Sequence, residues 1–240
     1  MEKSKKIKLF IGLSYLIFII LFVFYLFSKL SFQELTSYEF IKDNIDYFSK
    51  LKKTNLFMLS LFFLIFIILW VFPFLGFGAP VALLGGFILG KWLGVIIVVL
   101  GLSIGATFLY IFANFFLKEF VRKKFLDKFK NLEIKFKKSE FNYLLLYRFI
   151  GGIPWQLSCV IPTMFNVKVL NFFFATLVGI IPQIFLVVSI GAGLENIINN
   201  NLEAPKITDI ITSSEIYVPL IIFMCLVIIT IFLKNLFYKK

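Results

Sequence analysis

The stretch YRFIGGIPWQLSCVIP, residues 147–162, places an arginine, two adjacent glycines and two prolines inside a chain of Leu, Phe and Val. Transmembrane helices rarely contain charged residues, and proline interrupts their hydrogen bonding. From Phe141 to Ile153 a helix would be only about 20 Å long at 1.5 Å per residue, whereas the hydrocarbon core is about 30 Å thick. We therefore predict that the chain turns back at Pro154 as a re-entrant hairpin.

The composition of the whole chain indicates an integral membrane protein. The chain has 240 residues, 60% of them hydrophobic, and a mean hydropathy of +0.97. A soluble fold of this length has too little interior to hide so much apolar surface. The formal net charge is +12, but the basic residues flank apolar segments. This arrangement favours a bilayer surface over nucleic acid as the partner.

Residues suited to catalysis or metal binding are scarce. The chain has no histidine, which is the commonest general base and metal ligand. Its two cysteines, Cys159 and Cys225, lie in apolar segments and form no C-x-x-C pair. Neither 47–118 nor 141–194 contains an Asp or Glu. We therefore expect no enzyme, no metal site and no cofactor.

The distribution of apolar segments divides the chain into three parts. Residues 1–54 are predicted to form an N-terminal anchor helix, at 9–27, and a polar amphipathic loop. Residues 55–195 form the membrane domain with the proline-broken segments. Residues 196–240 comprise an outer loop, a last transmembrane helix at about 216–233 and a basic tail.

The basic residues predict the orientation of these parts. Four lysines lie in the first eight residues, nine Lys or Arg in 118–140 and three lysines in the tail. The positive-inside rule places all three groups, and thus both termini, in the cytoplasm. The loop at 195–215, with one lysine and four acids, should face outward. This loop would then lie across the membrane from both the basic segment at 118–140 and the tail. An odd number of membrane crossings must therefore separate the loop from each of them.

This charge distribution selects among the possible topologies. If 55–72 and 81–117 both crossed the membrane, the basic segment at 118–140 would lie outside. A re-entrant hairpin over 55–90, followed by a crossing at about 91–117, restores the orientation. The fold class predicted is all-α and polytopic, with about four transmembrane helices and two opposed re-entrant hairpins that form an inverted repeat. The alternative is ordinary helices kinked by proline.

Small and rigid residues are expected to shape these hairpins and their contacts. Gly86, Gly90 and Gly94 recur every four residues, so on one helix they would line a single face and allow close packing. The residues assigned to hairpin geometry and packing are Pro73, Pro80, Gly86, Gly90, Gly94, Gly105, Gly179 and Pro182.

The segment at 118–140 has an apolar stripe at helical spacing, surrounded by basic residues. This pattern is typical of a helix lying in the membrane interface on anionic phospholipid. The alternative is a linker helix packed on its own protein.

Arg148 is the one arginine in an apolar setting. An intramembrane cation is by default a candidate functional residue, and the planar guanidinium suits phosphate. The alternative is that Arg148 extends along its helix to the cytoplasmic interface.

Two stretches together resemble the VTT-domain superfamily, which includes the DedA-like and SNARE-associated Golgi proteins. They are FPFLGFGAPVALLGGFILGKWLGVIIVVLGLSIGATFLY and YRFIGGIPWQLSCVIPTMFNVKVLNFFFATLVGIIPQ, and the resemblance covers roughly residues 60–195. It implies paired re-entrant hairpins and movement of phospholipid or carrier-lipid phosphate between leaflets.

The chain also departs from the pattern of many relatives. Ala113-Asn114 stands where many have an arginine, Gly151-Gly152 where many have a proline, and Ser158-Cys159 where an asparagine is common. The acidic pair associated with proton coupling in the DedA branch is missing. These departures favour passive movement and the branch related to the Tvp and Tmem membrane proteins.

The sequence therefore predicts a lipid scramblase or flippase, not proton-coupled, in a bacterial inner membrane. The alternatives are a small-anion transporter and a non-transporting membrane assembly factor. The residues predicted to bind substrate are Arg148, Gly151, Gly152, Pro154, Asn166 and Gln183.

Overall fold

The computed structural model describes residues 2–29, 50–125, 139–150, 154–200, 212–214, 216–222 and 224–225. Every regular element in these ranges is a helix, which confirms the predicted all-α class for this part of the chain. The helices are α1 (Glu2–Lys29), α2 (Leu56–Val71), α3 (Gly78–Leu89), α4 (Lys91–Phe116), α5 (Lys118–Phe125), α6 (Glu140–Ile150), α7 (Trp155–Val160), α8 (Val169–Gly179) and α9 (Ile181–Asn200). A short 3-10 helix, Ile161–Phe165, follows α7.

The first proline-broken segment folds as a helical hairpin. Helix α2 ends at Val71, two residues before Pro73, because proline has no N–H to continue the helix. Phe63 packs near Gly85, and the Trp70 indole nitrogen donates to the carbonyl of Phe77 at 2.9 Å. These contacts show that α3 runs back along α2.

Gly90 separates α3 from α4. Its φ of 79° is in the left-handed region that favours glycine, and helix α3 ends there. The expectation that Gly86, Gly90 and Gly94 share one helix face is therefore wrong, because Gly86 and Gly94 belong to different helices. Both nevertheless approach Val188 of α9.

Helix α4 runs parallel to α2 at close distance. Gly101 faces the side chain of Ile67, and Gly105 faces that of Val71, where an added Cβ would lie 2.7 Å from the Val71 Cβ. Glycine at these two positions allows the helices to approach, as expected for Gly105.

The second half of the chain repeats this pairing with α6 and α8. The Glu140 carboxylate, at the start of α6, accepts from the Lys168 backbone nitrogen at 3.2 Å and from the Asn171 amide at 2.8 Å. At the other end of α6, Arg148 packs on Gly179 of α8. The two helices are therefore parallel.

Helices α8 and α9 follow each other almost directly, with Ile180 between them in a helical conformation. Pro182 is the second residue of α9, a position in the first turn where proline is tolerated. Helices α8 and α9 run antiparallel to α4. Near the end of α4, Tyr110 stacks on Phe172 of α8, and near its start Gly94 meets Val188 of α9. This packing joins the two halves of the chain.

The surface of these helices is strongly apolar. Phe10, Phe24, Phe57 and Trp92 are each at least 72% exposed. Within the described residues, two helices are long and apolar enough to cross a membrane, Lys91–Phe116 and Ile181–Ile198. Large apolar side chains exposed on several helices suit a lipid environment.

The basic segment is described only at its start. In α5, Val121 is buried while Arg122 and Lys123 are exposed, which fits the predicted amphipathic pattern. The remainder of that segment, at 126–138, lies outside the described residues, as does most of the polar loop before residue 50.

Candidate functional site

Arg148 lies in the interior of the molecule, in the last turn of α6, with 4% of its surface exposed. Its side chain leaves α6 directly against Gly179, where an added Cβ would lie 2.6 Å from the Arg148 Cβ. The absence of a side chain at Gly179 gives the arginine room to enter the helix interface. The side chain is thus enclosed between helices and does not extend along α6 to an exposed position.

The guanidinium is held by neutral groups. Nε donates to the Thr176 hydroxyl at 3.2 Å, Nη1 to the Ser158 hydroxyl at 2.5 Å and Nη2 to the Cys159 sulfur at 3.5 Å. Ser158 in turn donates to the carbonyl of Trp155 at 2.6 Å. These bonds fix the orientation of the guanidinium without neutralising its charge.

No carboxylate pairs with Arg148 in the part of the chain that the structure describes. An ion pair that does form among these residues joins Lys52 to Glu195 at 3.5 Å. A buried cation without a counter-charge is costly, since its loss of hydration is not offset by Coulomb attraction. The arrangement can therefore attract and hold an anion.

Two aromatic rings flank the guanidinium carbon, which lies 5.1 Å from the ring centroids of Trp155 and Phe172. The Phe172 ring stacks on Tyr110 at 4.4 Å, and the Tyr110 hydroxyl donates to the carbonyl of Val167 at 2.6 Å. Cation–π contact stabilises the charge while leaving it available to an anion.

Several hydrogen-bond donors at the site have no acceptor among the described residues. The guanidinium carries five N–H groups, and the three bonds above engage one on each nitrogen. The indole nitrogen of Trp155 and the hydroxyl of Tyr147 are buried and have no partner among the described residues. An anion with several oxygens fits this set of donors.

The tips of the two broken segments meet beside this site. The Gln156 amide donates to the carbonyl of Leu75, in the turn after α2, at 2.6 Å. Leu75 has a φ of 58°, in the left-handed region. The ring of Trp155 lies near Gly78 at the start of α3. The first half therefore contacts the segment that carries Trp155, one of the residues beside the arginine.

The other residues predicted to bind substrate have different positions. Gln183 donates to the carbonyls of Arg148 at 2.8 Å and Phe149 at 3.0 Å, so it holds the end of α6. Pro154 is exposed and precedes α7. Asn166 is exposed, ends the 3-10 helix with a φ of 53° and is not among the contacts of Arg148. Gly151 and Gly152 lie outside the described residues.

Sequence reasoning missed most of the groups that contact the guanidinium. Thr176 and Phe172 lie on α8, and Trp155 and Ser158 on α7. The hydroxyl residues carry no pattern of their own in an apolar segment. Only their position in the sequence could have indicated a role, since Ser158 lies in the proline-broken segment and Thr176 in the stretch TLVGIIPQ.

The fold and this site define an all-helical protein with a strongly apolar surface, whose interior contains an arginine surrounded by neutral side chains. The sequence matches the VTT domain over residues 72–193, half of the chain. The protein therefore belongs to the VTT-domain family, and the predicted resemblance is confirmed.

Two relatives agree with this assignment. The chain is 34% identical over 123 residues to the uncharacterized protein YqeD of Bacillus subtilis, a match that covers 50% of this chain and 59% of that one. It is 30% identical over 120 residues to the Transmembrane protein 41 homolog of Dictyostelium discoideum, which covers 48% of this chain and 36% of that one. The chain thus spans less than two thirds of either relative. No solved structure matches it significantly.

Proposed function

We propose that this protein moves lipids that carry a phosphate group between the two leaflets of its membrane. The observation that carries the proposal is Arg148, a buried cation with unused donors and without a carboxylate partner in the described residues. A lipid phosphate would supply the missing negative charge, and a guanidinium can bind two phosphate oxygens at once.

The membrane architecture we propose is polytopic, with about four transmembrane helices and two opposed re-entrant hairpins. Supporting it, α2 and α6 each run parallel to the helix on which they pack, α4 and α8, through Gly105 and Gly179 respectively. Both are shorter than α4, at 16 and 11 residues against 26. Hairpins that enter from opposite faces would bring the Leu75 and Gln156 tips together near the midplane, where transport sites lie.

We propose that the movement is passive. Proton coupling needs a group that gains and loses a proton inside the membrane, and carboxylates are the usual choice. Residues 141–194, which contain Arg148 and every group described as contacting it, include no Asp or Glu. The direction of movement would then follow the lipid gradient.

At the membrane surface we propose that α5 and the basic residues after it rest on anionic phospholipid, in a bacterial inner membrane with both termini in the cytoplasm. The exposed Arg122 and Lys123 beside the buried Val121 support this placement. Each basic residue near an anionic surface contributes about 1 kcal/mol to binding.

The orientation can be tested by single-cysteine labelling in a variant with Cys159 and Cys225 replaced. A cysteine introduced at position 130 should react with a membrane-impermeant reagent only after the cells are opened, and one at position 205 should react in intact cells. Labelling of position 130 in intact cells would contradict the hairpin topology, because it would place the basic segment outside.

The function can be tested with purified protein in vesicles that contain a fluorescent phospholipid in both leaflets. A membrane-impermeant quencher should bleach about half of the label in protein-free vesicles and nearly all of it when the protein equilibrates the leaflets. Uptake of a small soluble anion without lipid movement would favour the alternative transporter. Neither activity in folded protein would favour the assembly factor.

A further inference from the structure

The indole nitrogen of Trp155 is a buried donor without an acceptor among the described residues. The chain's other two tryptophans differ, because Trp70 donates to the carbonyl of Phe77 at 2.9 Å and Trp92 is 74% exposed. A buried N–H left without an acceptor is destabilising, and more so in a medium without water. The position of this group therefore needs an explanation.

The indole is fixed in place by contacts on several sides. Its face covers the Arg148 guanidinium, with 5.1 Å from the guanidinium carbon to the ring centroid. The backbone carbonyl of Trp155 accepts from the Ser158 hydroxyl at 2.6 Å. The next residue, Gln156, is fastened to Leu75 of the first broken segment. The backbone that carries the ring is therefore anchored beside the arginine.

The geometry of a cation over a ring face decides where that N–H points. The indole N–H lies in the ring plane, so it is directed sideways and not at the guanidinium itself. An anion that bonds the unused guanidinium donors from the side of the ring would come within reach of the indole. The charge of the arginine and the N–H of the tryptophan would then act on one ligand.

We propose that Trp155 is a second anion-contacting residue, whose indole N–H donates to a phosphate oxygen bound by Arg148. The inference rests on the proposed function, because it takes the Arg148 site as the place where the phosphate binds. The ligand chemistry is a phosphate oxygen, which a phospholipid headgroup or free phosphate could supply. Trp155 would then contribute to the selection of a ligand with several oxygens at one centre.

The indole N–H resonances of the full-length protein in a neutral detergent offer a direct test. We would add dihexanoyl-phosphatidylglycerol, inorganic phosphate or uncharged dihexanoylglycerol to 15N-tryptophan-labelled protein. With dihexanoyl-phosphatidylglycerol, the Trp155 proton should move downfield in a saturable way. The Trp70 resonance, already hydrogen-bonded, and the exposed Trp92 resonance should stay nearly unchanged as internal references. Resonances are assigned with W155F, or by elimination with W70F and W92F.

The three ligands distinguish the source of the phosphate. A shift with both phosphorus compounds means that the site recognises the phosphate itself, and a shift with the phospholipid alone means that acyl chains are also required. Both results support the inference. An equal shift with dihexanoylglycerol, or none with any ligand, would overturn it, because the indole would then respond to chain packing or to nothing.

The variant W155F keeps an aromatic face and removes the donor. It should weaken dihexanoyl-phosphatidylglycerol binding by about tenfold, whereas W92F, the same change at an exposed site, should leave it unaltered. If R148A loses transport but the Trp155 resonance of the unmodified protein never moves, only this inference fails. If R148A keeps transport, the proposed function fails first.

Discussion

Replacing Arg148 with alanine should reduce lipid equilibration to the rate of protein-free vesicles while the protein still folds. The change removes the one charge that would compensate a phosphate for its lost hydration inside the membrane. Folding should survive because Ser158 still donates to the carbonyl of Trp155. The measurement is quencher-accessible fluorescence in vesicles with matched protein content, with the melting temperature determined in parallel.

Two further variants separate charge from geometry. Arg148→Lys should retain only part of the activity, about one tenth or less, since an ammonium keeps the charge but loses the planar fork that bonds Thr176, Ser158 and Cys159 together. Arg122→Ala, which removes the chain's other arginine at an exposed position of α5, is the matched control and should stay near full activity. Unimpaired equilibration in a well-folded Arg148→Ala protein would remove Arg148 from the site.

The boundaries of the first half were predictable because local rules determine them. Proline at position 73 predicted the break after α2, and the predicted crossing at about 91–117 corresponds to α4, Lys91–Phe116. The apolar length of a segment and the missing N–H of proline act within a few residues. Both signals are visible in a single sequence.

The surroundings of Arg148 could not be predicted in this way. Thr176 is 28 residues from Arg148 in the sequence, and the contact exists because α6 and α8 are parallel and Gly179 admits the side chain. The role of Gly90 was missed for a related reason. A four-residue glycine spacing fits one helix face as well as it fits two helices joined by a left-handed glycine.

The two halves of the chain differ at corresponding positions, and only the second half places a charged side chain there. Val71 packs on Gly105 as Arg148 packs on Gly179, each side chain filling the space that a glycine leaves on the parallel helix. Val71 is fully buried and apolar, so the first half presents no charge at the corresponding place. In the proposed inverted repeat, one half binds the headgroup and the other supplies packing surface.

Replacing Gly86 with alanine should destabilise the protein strongly. A Cβ at Gly86 would overlap the backbone carbonyl oxygen of Val188, and one at Gly191 would overlap that of Leu83. These contacts are between the backbones of α3 and α9, so no side-chain rotation relieves them. Two whole helices would have to separate, which also opens the packing around Val188.

The expected loss is about 3 kcal/mol, the upper part of the usual range for overpacking, or a fall of about 10 °C in melting temperature for a chain of this size. Gly78→Ala is the matched control in the same helix. Its Cβ would meet side chains alone, at ordinary contact distances of 3.4 Å to Leu102 and 3.9 Å to Trp155, and it should change the melting temperature by less than about 3 °C. Equal melting temperatures for the two variants would contradict the close α3–α9 contact. Helix α3 belongs to the first half of the chain and α9 to the second. A loss of stability in Gly86→Ala but not in Gly78→Ala would therefore show that this backbone contact holds the two halves together.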